Sequence, residues 1–263
     1  MFKALERPTG KKDKVAKRAE IEVSELDFSY PKGGKIFDQL SFNVDPQEFL
    51  TIVGPSGCGK TTILLILAKL MKETGGIIRF ANSGSQGRVG IVFQEYNRVI
   101  LPWLSILKNV ELPLEVLGIP PEERERMARS YLEMVGLSRS ENLRPAQLSG
   151  GMKQRAQIAR VLAYDPSVLL MDEPFGSLDA QTKATMQQEF LKIWETKRKT
   201  VVFVTHDVDE AVFLSDRVIV IAGSPAQIVD EVTVNLPRPR SRSVLSTKEF
   251  LKIREHLWDQ IMT

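Results

Sequence analysis

The chain has 263 residues, 43% hydrophobic and 26% charged, an ordinary globular balance that excludes global disorder. Its longest unbroken apolar run, Ile63 to Ala68, is far short of the ~20 residues a membrane-spanning helix needs. The net charge of +3 is uneven: residues 1–20 carry a surplus of four positive charges, so the remainder sums to −1 and offers no nucleic-acid surface.

The stretch Met1 to Glu20 is polar and basic, without the apolar core of a secretory signal, and reads as a flexible, solvated tail. A single cysteine, Cys58, precludes an internal disulfide and fits a reducing, cytosolic compartment. Alternating segments between Ile21 and Asp45 flank Pro31-Lys32-Gly33-Gly34, the pattern of two half-buried antiparallel strands around a turn. Four short runs without clean alternation follow: Phe49–Val53, Val89–Phe93, Val168–Met171 and Val201–Val204, with a fifth at Val218–Ile221. Such runs, separated by helical patterns, are strands buried on both faces of a parallel sheet. Between the second and third, a helical insertion is expected over about 96–150, including an amphipathic helix from Pro120 to Gly136. Pro237-Arg238-Pro239-Arg240 reads as a polar, proline-broken loop; beyond it Phe250, Ile253, Leu257 and Ile261 recur at helical spacing, the mark of a docking helix.

The first buried strand runs into Gly54-Pro55-Ser56-Gly57-Cys58-Gly59-Lys60-Thr61, which matches G-x-x-x-x-G-K-[ST], followed by an expected helix from Thr61 to Met71. Glycines let successive N–H groups turn toward phosphate oxygens, and the helix N-terminus adds a favourable dipole. Lys60 would bridge the terminal phosphates, Thr61 would offer its hydroxyl to Mg²⁺, and Thr62 completes the binding segment. Cys58, close to the helix start where thiolate is favoured, is read as a small residue of the cradle.

Three other strands end in polar groups: at Gln94, at Asp172-Glu173 and at Thr205-His206. Ligands of open α/β sheets bind at the carboxyl ends of the strands, so these groups are expected on one edge. Asp172 can supply a hard oxygen for Mg²⁺, with Gln94 bridging metal and water. Glu173 is the candidate general base for an attacking water, and His206 would hold Glu173 and the γ-phosphate. The other histidine, His256, receives no role. Further on, Leu148-Ser149-Gly150-Gly151-Met152 heads a helix to Ala163 with Ser149 as N-cap, a second helix start suited to an anion.

In these motifs, over residues 21–240, the chain resembles the ATP-binding subunit of ATP-binding cassette (ABC) transporters. The diagnostic segments stand in order: the phosphate loop, Gln94, Leu148-Ser149-Gly150-Gly151-Met152, Asp172-Glu173, Ser177-Leu178-Asp179 and His206. The resemblance implies a P-loop NTPase (RecA-like) α/β fold: a parallel sheet core, an N-terminal antiparallel β subdomain and an inserted α-helical subdomain. The ATPase domain would span 21–245, with 246–263 as a C-terminal helix. It further implies ATP and Mg²⁺ as cofactors, with Tyr30 stacking on adenine. Ser149, Gly150, Gly151 and Asp179 would bind the nucleotide held by a second ATP-binding subunit, identical or not. Partners would be membrane permease subunits and, indirectly, an extracytoplasmic solute-binding protein, placing the chain peripherally on the cytoplasmic face of the cell membrane. The alternative is an ABC ATPase not coupled to transport. Such proteins usually carry two cassettes, long coiled-coil insertions or zinc-binding cysteines, whereas here only 55 positions separate Gln94 from Ser149. Leu101-Pro102-Trp103, Glu173-Pro174-Phe175-Gly176-Ser177-Leu178-Asp179 and Leu236–Arg240 look like the nitrate, sulfonate and taurine importers. The segment Gln94 to Ile100, which should meet the membrane partner, is slightly longer than that branch's common form.

Overall fold

The computed structural model describes residues 19–31, 33–81, 88–95, 99–176 and 178–262; the basic tail through residue 18, residues 96–98 of the longer segment, and Ser177 lie outside them. The expected N-terminal strands are β1 (Ile21–Ser29) and β2 (Lys35–Val44), antiparallel with Ile21 opposite Val44 and Val23 opposite Phe42. Tyr30 and Gly33 close the turn between them.

The first core strand, β3 (Phe49–Val53), leads into helix α1 (Lys60–Leu67), which ends four residues before the expected Met71. Lys69 adopts a left-handed φ of 58°, and the N–H groups of Leu70 and Met71 both turn back to the carbonyl of Leu65. The chain must reverse here to lay β4 (Gly75–Phe80) against the free side of β1, giving a three-stranded sheet β2-β1-β4. β4 escapes the sequence reading because its paired glycines suggest a turn and its burial is only partial.

The second sheet contains β5 (Val89–Val92), β6 (Val168–Asp172), β7 (Thr200–Thr205), β8 (Arg217–Ala222) and β9 (Gln227–Thr233) with β3, in the order β5-β6-β7-β3-β8-β9. All neighbours are parallel except β9, an antiparallel edge strand that the sequence did not announce. Every residue of β3, β6 and β7 is buried, because the two faces of the sheet feed two separate cores. Phe49, Met171 and Phe203 point into one core, and Leu50, Ile52, Leu170 and Val202 into the other, with α1 and the antiparallel sheet. That two-sided burial replaces alternation with continuous apolar runs.

The helices of the insertion, α2 (Ile106–Val116) and α3 (Pro121–Met134), pack together and on α4 (Gly150–Ala163). From within α2, buried Asn109 donates to the carbonyls of Leu101 and Ser105 and accepts from the Leu101 N–H, fixing the preceding loop, which leaves Trp103 66% exposed. Helix α5 (Ala180–Lys197) covers the Phe49 face of the sheet with Phe190 and Trp194, and α6 (Val208–Leu214) follows β7. The expected C-terminal helix is α7 (Lys248–Met262), buried through Phe250 and Leu257 and tied to β9 by a 2.6 Å contact between His256 Nε2 and Asp230 Oδ2.

In the loop at 237–240 the two prolines are exposed, while both arginines turn inward. Arg238 stacks 4.3 Å over Trp194 and pairs with Asp216. Arg240 is buried and donates to the carbonyls of Val212, Phe213, Ser215, Val234 and Leu236. Burial, with Arg238 nearby, pushes its guanidinium down to about 10. Among the described residues no helix is long and apolar enough to cross a membrane.

Candidate functional site

The turn from β3 to α1 is built on glycines with positive φ, 83° at Gly57 and 99° at Gly59. Inside it Lys60 is buried, and its ammonium donates to the carbonyls of Gly54 and Pro55 at 2.8 Å each. Cys58 lies beneath the loop, 91% buried, with its Sγ 4.0 Å from Lys60 Nζ. Burial pushes its thiol above the ordinary value despite Lys60, which corrects the expectation of a favoured thiolate. Helix proximity loses here to desolvation. Thr62 is buried, and its hydroxyl lies 3.1 Å from that of Tyr30. Tyr30 packs edge-on against Phe28 with centroids 5.0 Å apart, yet stays 40% exposed beside the start of α1.

Because β5, β6, β7 and β3 are adjacent and parallel, their carboxyl ends form one edge. From α1, the exposed Thr61 hydroxyl donates to Asp172 Oδ1 at 3.1 Å. Burial pushes the Asp172 carboxyl up, opposed by Thr61 and Lys60 and reinforced by the charge of Glu173. One residue past β6, Glu173 takes a left-handed φ of 41° while its N–H bonds to Val204 of β7. A non-glycine residue held there stores about 1–3 kcal/mol of strain, tolerated where surrounding structure fixes it. The result is a carboxylate turned outward between two neighbours: His206 Nδ1 at 3.0 Å from Oε1, and Gln94 Nε2 at 3.5 Å from Oε2, the limit of hydrogen-bond reach. Thr61, Leu65, Phe93, Gln94, Glu95, Val99 and Asp172 line a cleft of about 480 Å³ along this edge. The constellation has the parts for activating a water molecule: a carboxylate to accept its proton, an amide to align it and an imidazole to hold the carboxylate.

Ser149 caps α4 as expected, accepting from the Met152 N–H at 3.3 Å, and is exposed with Gly150 half-buried behind it. Gly151 is buried against the start of α5: a Cβ there would lie 3.0 Å from Thr182 and 3.7 Å from Leu178. Asp179 caps α5 through the N–H groups of Gln181 and Thr182, and with Thr182 as main partner its carboxyl is held below the usual range. These four residues therefore stand together at two neighbouring helix starts.

A buried polar network at the end of β7 escaped the sequence reading. Glu210, 3% exposed, receives the hydroxyl of Thr205 and the amide of Gln187 at 2.9 Å, while Lys183 reaches Asp207 Oδ2 at 2.7 Å and Glu210 at 3.5 Å. For Asp207 burial is outweighed by Lys183, leaving its carboxyl lowered; for Glu210 burial prevails and pushes it up. The signal that could have found it is Asp207-x-x-Glu210 directly after a strand, the spacing of a helix-capping pair.

The sequence matches the family described as ABC transporter over residues 37–176. It is 46% identical to an uncharacterized ABC transporter ATP-binding protein, MJ0412, of Methanocaldococcus jannaschii, over 94% of each chain. It is 38% identical to the taurine import ATP-binding protein TauB of Pseudomonas fluorescens, over 93% of this chain and 96% of that one. Among solved structures, the post-hydrolysis dimer of the ATP-binding cassette MJ0796, bound to ADP and Pi, superposes with a TM-score of 0.71 at 32% identity, covering 82% of this chain and all of that one.

Proposed function

The chain belongs to the ABC transporter family as one of its ATP-binding, ATP-hydrolysing proteins, and from that premise we propose that it energises an importer of a small solute. Two copies, or this chain and a near-copy, close around two ATP molecules, and closure drives separate membrane subunits. The solute is an anion such as nitrate, a sulfonate or taurine, delivered by an extracytoplasmic binding protein; the importer reading draws on the 38% identity to a taurine import protein. The chain works at the cytoplasmic face of the membrane, with residues 21–245 as the ATPase domain, about 96–150 as its helical subdomain and 246–263 as the C-terminal helix. The exposed Trp103 on its pinned loop belongs to the surface offered to the permease.

The observation that carries the proposal is Glu173 held between His206 and Gln94, on the edge where Thr61 meets Asp172. In the cycle, the Lys60 ammonium exchanges the carbonyls of Gly54 and Pro55 for the terminal phosphates, to which the loop's N–H groups from Ser56 to Thr62 donate. The exposed face of Tyr30 supports the adenine. Glu173 accepts the proton of the attacking water, Gln94 aligns that water, and His206 steadies the carboxylate and contacts the γ-phosphate. Thr61 and Asp172, a hydroxyl and a carboxylate in contact, fit Mg²⁺ in donor chemistry and would hold it. Held there, it would supply positive charge against the negative charge of the phosphates. The exposed Ser149 with Gly150, Gly151 and Asp179 faces the nucleotide in the other subunit's cradle.

The test is subunit complementation. Lys60→Ala disables the cradle and Ser149→Arg the opposing helix start, so each homodimer is inactive. Mixed dimers regain one intact site, and with half of all dimers mixed the ATPase rate reaches about a quarter of wild type. A mixture no more active than its parents refutes sharing of the site between subunits.

A further inference from the structure

We infer that Glu210 is a positioning residue which, through Thr205, Asp207 and Lys183, holds the turn that presents His206 to Glu173; its bearing on hydrolysis rests on the roles proposed above for those two. The His206 side chain is 59% exposed, so packing does little to place its imidazole, and the 3.0 Å approach to Glu173 is set by the backbone that carries it. That backbone is tied down on both sides. Before it, buried Thr205 gives its hydroxyl proton to Glu210 Oε2 and accepts the Asp207 N–H at 3.0 Å. After it, Asp207 accepts the Glu210 N–H at 3.1 Å through Oδ1 and the Lys183 ammonium at 2.7 Å through Oδ2.

All four lead to one carboxylate or its immediate partner. Glu210 is further held by Gln187 at 2.9 Å, and Lys183 and Gln187 lie one turn apart on α5. A carboxylate buried this deeply is a poor way to gain stability, since apolar packing of equal volume is often as good or better. What the charged arrangement supplies is directional geometry: Glu210 meets Thr205 and Lys183 and receives Gln187 at once. The same contacts anchor the His206 turn to the first turns of α5, where the carbonyl of Asp179 receives the Lys183 N–H at 2.8 Å. Asp179 and His206, 27 positions apart in sequence, thereby share one rigid support.

The experiment uses the full chain labelled at its histidines, of which there are two, with His256→Gln identifying the His206 ring signal. Thr205→Val keeps the side-chain shape but removes both hydrogen bonds. It is expected to shift the His206 signal in the direction that Glu173→Ala shifts it. Misplacement on this scale lowers kcat about 10- to 100-fold, leaving KM for ATP nearly unchanged, and Thr205→Ser restores both readouts. If Thr205→Val does not fold, Lys183→Met makes the same measurement by detaching Asp207 from α5 while Glu210 stays hydrogen-bonded. A folded variant with an unmoved His206 signal overturns the inference. A moved signal with unchanged kcat upholds the positioning and overturns instead the assignment of His206 and Glu173 to hydrolysis.

Discussion

Two alanine substitutions in the phosphate loop separate the two reasons for its glycines. Gly57 and Gly59 share left-handed backbones, φ 83° and 99°, but their surroundings differ. A Cβ on Gly57 would meet nothing within 4 Å, whereas one on Gly59 would fall 2.7 Å from Ile36 Cγ2 and 2.8 Å from Phe37 Cζ. Alanine at either site carries the left-handed penalty of about 1–2 kcal/mol. A stiffer unfolded chain returns about 0.4–1 kcal/mol of this. Gly57→Ala should therefore lose only about 0.5–1 kcal/mol. Gly59→Ala adds overpacking against a side chain, Phe37, that is itself fully buried, worth a further ~1–3 kcal/mol. At about 2–4 °C per kcal/mol for a chain of this size, Gly59→Ala should melt roughly 2–12 °C below Gly57→Ala. Thermal unfolding followed by far-UV circular dichroism without nucleotide measures the difference. Equal melting temperatures, or the reverse order, would refute the claim that crowding from β2 separates the two positions.

Glu173→Gln, which preserves shape and removes the proton acceptor, is expected to bind ATP, lose at least ~10²-fold in turnover and accumulate a closed dimer by size-exclusion chromatography. Full turnover in that variant removes Glu173 from the base role. Trp103→Ala should leave basal ATPase activity intact and lower transport with reconstituted membrane subunits; undiminished transport places the docking surface elsewhere. Because burial raises the Cys58 thiol, thiolate is scarce at neutral pH and maleimide should react slowly, accelerating as pH climbs toward the raised value. Bound ATP should slow it further. Reaction at pH 7 as fast as a free thiol's would show that the loop opens far more than its packing indicates.

The strands of the parallel core were legible as five short apolar runs, β3, β5, β6, β7 and β8, and in β3, β6 and β7 burial on both faces accounts for the run. β4 and β9 lie at sheet edges with half their side chains exposed, so nothing in their composition separates them from loops; pairing with β1 and β8 makes them strands. Arg240 is the opposite case. Its charge suggests solvent, yet carbonyls at the end of α6 and at Val234 and Leu236 receive both of its terminal nitrogens in a buried setting.

The site divides along the same line. Gln94, Asp172, Glu173 and His206 could be singled out because each ends a strand, and the parallel order of β5, β6 and β7 alone brings strand ends together. Their position depends on backbone that the local sequence encodes. Glu210, Lys183 and Gln187 depend instead on side chains meeting across α5 and α6, separated by 23 and 24 positions between Gln187 and Glu210 and between Lys183 and Asp207. No local periodicity records such a meeting. A candidate catalytic group at a strand end is visible before the fold is known, whereas the groups packed around it become visible only when the fold has chosen their neighbours.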